Sequence, residues 1–548
     1  MKFRMLAAAF AVMSLASAAP AQRNAQPEFT PEAFRAHVAF LADDMLEGRK
    51  PGTRGYDIAA RYVAAQFEAL GLRPGNGDSW YQPVEFVRYS VTGIPTLTVA
   101  DDTFTHGQEA VFRPSADRER LSLNAPMVFV GYGLDMPAHG FSDYDGLDVR
   151  GKVVVVLSGI PQGVASDVAA HLNADKRNMA ARRGAVGLIQ VLSPADSESL
   201  EWGNYATAAA ARRDHTWLGT DGLAFDSAQG LRFNATVSRS AAEKIFAASP
   251  RSLDAVFAEA ARGRPGGFEL GRTVRVDRDA AVVERFSSSN VVAILPGSDP
   301  ELADEYVAIT AHLDHLGTTP GEGDQIRNGA LDNATGIATL IEVARQMVQS
   351  GQRPRRSLLL AAVTAEEMGL LGAEYLARHP VVEGHIISLV NLDMPILTYD
   401  FQDVIAFGAE HSTMGPIVAR AGARMGVSLT PDPLPEEGLF TRSDHYKFVR
   451  EGVPSVFLMT GFAGEGREQF TNFLRTHYHS THDDLNQPIN WEAGARFARL
   501  NYLIAREIAD GGQAPLWYSE SFFGDLFGGQ QQRAQRPAGS GEVTAQAQ

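Results

Sequence analysis

From Asn290 onward the chain alternates short, continuously apolar runs with helical stretches, and this alternation limits the possible folds more than any other feature of its 548 residues. The runs EYVAITAH, RSLLLAAVT and HIISLVNLD are too uniformly apolar for a sheet with one wet face. Between them, about 334–348 and 370–377 read as helices. Strands buried on both faces and joined through helices predict an α/β fold with a mostly parallel central sheet and helices on both faces.

Upstream, Thr30-Pro31-Glu32 supplies a cap, a proline at the first helical position and an acid in the first turn, and Phe34, Val38, Leu41 and Met45 mark the face of the helix that follows. A second helix, with Ile58, Tyr62, Ala65, Phe67 and Leu70 on one side, closes at Gly71. Around residue 93 the pattern changes to short runs bounded by Gly and Asp: APMVFVGYGL, GKVVVVLSG and GAVGLIQVL, with a helix near 173–183 before the last. These predict a β-rich insert at 93–287, interrupting one α/β domain built from 24–92 and 288–515.

The two ends read differently. Residues 1–21 carry Lys2 and Arg4, an apolar stretch and small residues around Ala18, the pattern of a cleaved secretory signal. The apolar stretch is shorter than the roughly 20 residues of a span, so no stable membrane anchor is expected and the compartment is periplasmic or extracellular. Residues 528–548, rich in Gln, Gly, Ala and Pro, predict a disordered tail. With 49 Lys+Arg against 65 Asp+Glu the net charge is −16, which argues against a nucleic-acid partner held by bulk charge. The absence of cysteine removes disulfides, thiolate catalysis and zinc–cysteine sites, so any metal is held by nitrogen and oxygen.

Ligands of α/β sheets gather beyond the carboxyl ends of the strands. There this sequence places His312, Asp314 and His315; a Gly-bounded turn with Asp332; Glu366 and Glu367; and Asp393. A polar loop before the last long helix carries His479. Two imidazoles and three carboxylates suit a pair of first-row divalent ions, zinc foremost, sharing one carboxylate. Such a pair activates a water and polarises the carbonyl that it attacks. Adjacent residues at a strand end point in different directions, so one of Glu366 and Glu367 binds metal while the other takes the water's proton.

The set His-Leu-Asp-His at 312–315, Gly-Ala-Leu-Asp-Asn-Ala-Thr-Gly at 329–336, Glu-Glu-Met-Gly-Leu-Leu-Gly at 366–372, Asn-Leu-Asp-Met at 391–394 and His-Ser-Thr-His-Asp at 479–483 resembles the M28 family of zinc metallopeptidases. The resemblance implies two zinc ions bridged by Asp332, one completed by His312 and Asp393, the other by Glu367 and His479. It also implies Glu366 as general acid/base and Asp314 as the acceptor of a hydrogen bond from His312. His315, His477 and His482 read as supporting or solvated neighbours. Arg442-Ser443-Asp444-His445 resembles a further family stretch but serves equally as a helix start, and stays outside the predicted site. The stretch GYGLDMPAHGFSDYDGLDVRGKVVVVLSGIP looks like a protease-associated (PA) domain. The implied activity is an aminopeptidase acting on peptides; a carboxypeptidase or dipeptidase on the same scaffold, a one-zinc cyclase and a non-catalytic receptor-like protein are the competing expectations.

Overall fold

The computed structural model describes residues 28–116 and 120–537. The signal segment expected at 1–21 lies outside the described residues, and no helix among them is long and apolar enough to cross a membrane.

Strand Glu305–His312 lies between Ser357–Val363 and His385–Leu392, parallel to both, and His385–Leu392 is followed in the sheet by the parallel Ser455–Thr460. Asp403–Phe407 returns antiparallel beside it and Ser428–Thr430 forms the edge. Strand Ser357–Val363 is buried on both faces, as alternation in the core shows: Leu358, Leu360 and Ala362 pack against Phe34, Val38, Val63, Ile341 and Ile504, whereas Leu359, Ala361 and Val363 pack against Leu376 and Phe448; the edge strand Ser428–Thr430 stays partly exposed. Helices Pro31–Leu41, Arg54–Ala69, Thr335–Gln349 and Trp491–Asp510 therefore cover one face, and Leu371–Arg378 with His445–Arg450 the other. Thr30 caps the first helix, accepting from the amide of Ala33.

Several expectations are corrected. Met45 is exposed rather than part of the first helix's buried face. The second helix buries Tyr56, Ala59, Ala60, Val63, Ala64 and Phe67, not the Ile58/Ala65 side; its alanines let the helix approach its neighbours closely, an advantage that a count of large apolar residues misses. The inserted stretch is mixed rather than β-rich: helices Ser166–Arg182, Trp202–Ala210, Arg239–Phe246 and Leu253–Ala260 accompany its strands. Of the tail expected to be disordered, 528–537 packs back, with Ala534 and Trp517 joined by a backbone hydrogen bond at 2.9 Å and Arg536 against Glu520 at 2.7 Å; 538–548 lies outside the described residues.

Two long strands carry the chain between cores. Tyr81–Val99 and Phe268–Leu295 pair antiparallel along their length. Val291 to Leu295 borders Ser357–Val363, while Phe268 to Asp279 borders Arg120–Phe129, the first of four parallel strands in the second core. The boundaries expected at 92/93 and 287/288 fall inside these strands, so the chain enters and leaves the insert without a linker.

Candidate metal centre

Three parallel strands end at one edge of the sheet, and their ends carry His312, Glu366 with Glu367, and Asp393. Asp332 comes from the turn at 330–334 before helix Thr335–Gln349, and His479 from the loop after helix Gly466–Thr476. The turns are sharp: Ala365 (φ 55°), Met394 (φ 26°) and His479 (φ 55°) are non-glycine residues in left-handed conformation, a strain tolerated where surrounding structure enforces it. Gly329 (φ 60°) precedes the Asp332 turn, and a Cβ there would sit 2.1 Å from the Asp332 carbonyl oxygen.

The other four predicted ligands gather around Asp332. Its Oδ1 lies 3.1 Å from His312 Nε2, which is 3.0 Å from Asp393 Oδ1. Its Oδ2 lies 3.5 Å from His479 Nε2, which is 3.1 Å from Glu367 Oε2. The two carboxylate oxygens of one aspartate thus face two different ligand sets, the arrangement a bridging ligand needs.

Neighbouring groups fix these side chains. The Nδ1–H of His312 donates to the main-chain carbonyl of Asp314 at 3.1 Å, which sets its tautomer. Asp314 is thus the expected acceptor, through its main-chain carbonyl rather than its carboxylate, which accepts the amides of Glu366 (3.1 Å) and Glu367 (3.4 Å) and so shapes the strand end. Thr310 Oγ1 donates to Asn391 Oδ1 (2.7 Å), Asn391 Nδ2 to Ser443 Oγ (2.7 Å), and Ser443 Oγ to Asp393 Oδ2 (2.5 Å). The fully buried Arg49 donates to the carbonyls of Leu313 (2.8 Å) and Gly329 (3.0 Å), and to those of Leu41 and Asn328.

Electrostatics separate the two adjacent glutamates. Burial, reinforced by the charges of Asp393 and Glu367, pushes the Glu366 carboxyl well above its usual range despite the attraction of His312. Burial and Asp332 also push Glu367 upward, but His315 and His479 outweigh them and hold it at about 2. Burial lowers the proton affinity of His312, yet Asp393, Glu366 and Asp332 together hold it well above the ordinary imidazole value.

The residues fit a pair of small divalent ions. The donors are nitrogen and oxygen only, and two groups with one ligand atom each, His312–Asp332–Asp393 and His315–Asp332–Glu367, share the aspartate. His315 Nδ1 and Glu367 Oε1 are buried 2.7 Å apart with no hydrogen bond aligned between them. Unpaired buried polar atoms are costly and rare; two that crowd together unaligned are aimed at a common third point.

Beside this cluster opens a cavity of about 290 Å³. His312, Asp332, Glu366 and Asp393 line one side, Met394, Leu439, Phe457, Phe470, Leu474 and Tyr478 supply apolar walls, and Glu437 and Arg442 stand among them. Tyr478 stacks on His479 with ring centroids 3.7 Å apart, and burial together with Asp332 and Glu367 keeps its phenol protonated well past the usual range.

Sequence reasoning missed Tyr478 and Arg49, and set aside His315 and Ser443. Ser443 had a signal, the motif at 442–445. Arg49 had none, because its partners lie up to 280 residues away in sequence.

Residues 290–505 match the family model Peptidase family M28. A probable zinc metalloprotease of Pyrenophora teres f. teres is 33% identical over 107 residues, 19% of this chain and 22% of that protein. Leupeptin-inactivating enzyme 1 of Streptomyces exfoliatus is 30% identical over 215 residues, 37% of this chain and 44% of that protein. The chain thus spans less than half the length of either relative. Among solved structures, an aminopeptidase from Aneurinibacillus sp. strain AM-1 is similar with a TM-score of 0.49 and 20% identity, over 89% of this chain and 95% of that one.

Proposed function

From the premise that the chain belongs to peptidase family M28 through residues 290–505, we propose that it is an exported aminopeptidase that works with two zinc ions and releases N-terminal residues from peptides. The observation that carries the reading is the pair Glu366–Glu367: neighbours in sequence, Glu367 set against the imidazoles of His315 (2.7 Å) and His479 (3.1 Å), and Glu366 lining the cavity beside His312, Asp332 and Asp393. Two zinc ions at the cluster supply, when bound, a water of lowered pKa and a polarised carbonyl. His312, Asp332 and Asp393 would hold one; Glu367 and His479, with Asp332, would hold the other. A carboxylate oxygen of Glu366 accepts the proton of the attacking water and returns it to the departing amine. The phenol O–H of Tyr478, protonated throughout, donates toward the oxygen on which charge develops.

The apolar walls favour a bulky apolar side chain next to the scissile bond, and Glu437 offers a charge for a free α-ammonium. The insert, which we read as PA-like, supports this wall. Its helix Ser166–Arg182 packs on the segment 435–442, with Gly438 closed up against Ala170, and is tied to the peptidase half by Asp167–His411 (3.3 Å) and Asp175–Arg450 (3.2 Å). Export rests on the signal pattern of residues 1–21.

A carboxypeptidase is the second reading: Arg442 stands in the same wall, paired with Glu437 at 3.5 Å, and a terminal carboxylate would compete with Glu437 for it, as an α-ammonium would compete with Arg442 for Glu437. Mass spectrometry of the products from one mixed-sequence peptide, offered with a free and with an acetylated N-terminus, decides between them. Stepwise N-terminal loss from the free peptide alone is the expected outcome; C-terminal trimming of both peptides selects the carboxypeptidase.

A further inference from the structure

On the reading that the cluster holds zinc, we propose that His315 is itself a metal ligand, so that the Glu367 side offers two imidazoles where the His312 side offers one. The family resemblance gives the Glu367 side only His479; the geometry gives it more. His315 Nδ1 lies 2.7 Å from Glu367 Oε1 and 3.9 Å from Asp332 Oδ2. Ligand atoms each about 2.0–2.2 Å from one small ion stand roughly 3–4 Å from one another, and these separations fall around that spacing. The same Asp332 oxygen faces His479, whereas Oδ1 faces His312.

His315 is fully buried, and neither ring nitrogen has a hydrogen-bond partner among the described residues. Its ring is held rather than free. Gly329 closes one side: a Cβ at that position would meet His315 Cγ at 2.6 Å. The His479 ring stands on another, centroids 5.8 Å apart and inclined at 68°. An imidazole that merely oriented Glu367 would align an N–H with the carboxylate oxygen it touches. At 2.7 Å the pair is close enough to lower the Glu367 carboxyl but meets no hydrogen-bond geometry, an approach that an ion shared by the two atoms would account for. Imidazole is a preferred donor for zinc, so the Glu367 side binds the first ion and holds it more tightly than the side built from His312, Asp393 and the shared Asp332.

The test uses the full chain, stripped of metal and reloaded with zinc. Stepwise titration is expected to give a tight and a weaker event, and zinc-edge X-ray absorption of the fully loaded protein three imidazoles shared by two ions. In His315→Gln the tight event weakens by at least about 100-fold, the weaker one stays within a few-fold, and the absorption spectrum loses one imidazole. His482→Gln, which removes an exposed neighbouring imidazole, leaves both events unchanged. Circular dichroism of the metal-free variant checks its fold; if His315→Gln fails to fold, the imidazole count of the wild type decides alone. Two imidazoles across two ions, or an unaltered tight event in a folded variant, overturns the assignment of His315 while leaving the dizinc reading standing. A wild type that binds no zinc overturns both.

Discussion

Asp483 Oδ2 accepts the amide hydrogen of Asp332 at 3.0 Å, while its Oδ1 accepts that of Leu331 at 2.9 Å. The loop that carries His479 thereby also fixes the turn that carries Asp332. Replacing Asp483 with Ala leaves two buried amides unpaired, at about 1–3 kcal/mol each. Urea unfolding is expected to register a loss of about 3 kcal/mol, and chelator competition a faster release of metal; Asp483→Asn, which keeps one acceptor oxygen, should lose about half as much stability.

Glu366→Gln removes the proton carrier and keeps the side chain's size. Because general base catalysis is worth about 10²–10⁴-fold, kcat is expected to fall at least 100-fold, while elemental analysis finds the same metal content as in the wild type. Near-normal turnover by this variant would falsify the role given to Glu366.

Ser443→Ala breaks the hydrogen-bonded chain from Thr310 through Asn391 to Asp393. Partners behind a metal ligand typically contribute 10–100-fold to affinity or activity, and a loss of about that size is expected in kcat/KM. Ser443→Thr, which retains the hydroxyl, should recover part of it.

Arg49 joins four carbonyls from the end of the first helix, the His312 strand end and the turn before Asp332. A lysine at this position has three donors and no planar fork. Arg49→Lys is expected to cost about 2 kcal/mol in thermal unfolding, and Arg49→Met more, since it leaves every one of those carbonyls without its donor.

Lys176 is buried, donating to the carbonyl of Leu157 at 2.8 Å and to that of Gly159, and burial lowers its ammonium from 10.5 to about 7 despite Asp143 and Asp196. Between about pH 7 and 10.5 the unfolded chain therefore binds more protons at this residue than the folded one, and stability rises with pH, by up to about 1.4 kcal/mol per unit; below pH 7 the penalty of the buried charge is fully present. Thermal unfolding at pH 7 and pH 9 is expected to show the wild type gaining on Lys176→Met. Parallel behaviour of the two proteins would mean that Lys176 folds with its charge retained.

What the sequence disclosed follows from the range of the forces involved. His312, Glu366, Glu367 and Asp393 could be located because each ends an apolar strand, and strand ends in such a sheet meet at one edge. Asp332 and His479 were legible through motif order. His315 was visible as a residue but not as a participant, since its orientation depends on the missing Cβ of Gly329 and on a glutamate 52 residues further along the chain. The alanine-rich face of helix Arg54–Ala69 was misread because close packing there rests on small side chains, which carry little hydrophobic signal. The mixed character of the insert was read only in part: the helix expected near 173–183 begins at Ser166, in a stretch that is largely polar and buries His171, Asp175 and Lys176 against its neighbours.

The ribbon formed by Tyr81–Val99 and Phe268–Leu295 has a mechanical consequence. Phe268–Leu295 is hydrogen-bonded to Ser357–Val363 near one end and to Arg120–Phe129 near the other, within one continuous sheet. Swivelling the two halves about a hinge would require shearing that ladder along much of its length, whereas a hinge needs only a few residues free to change dihedral angle. The molecule is therefore built as a stiff spar and not as a pair of jaws, with the wall segment 435–442 braced by helix Ser166–Arg182.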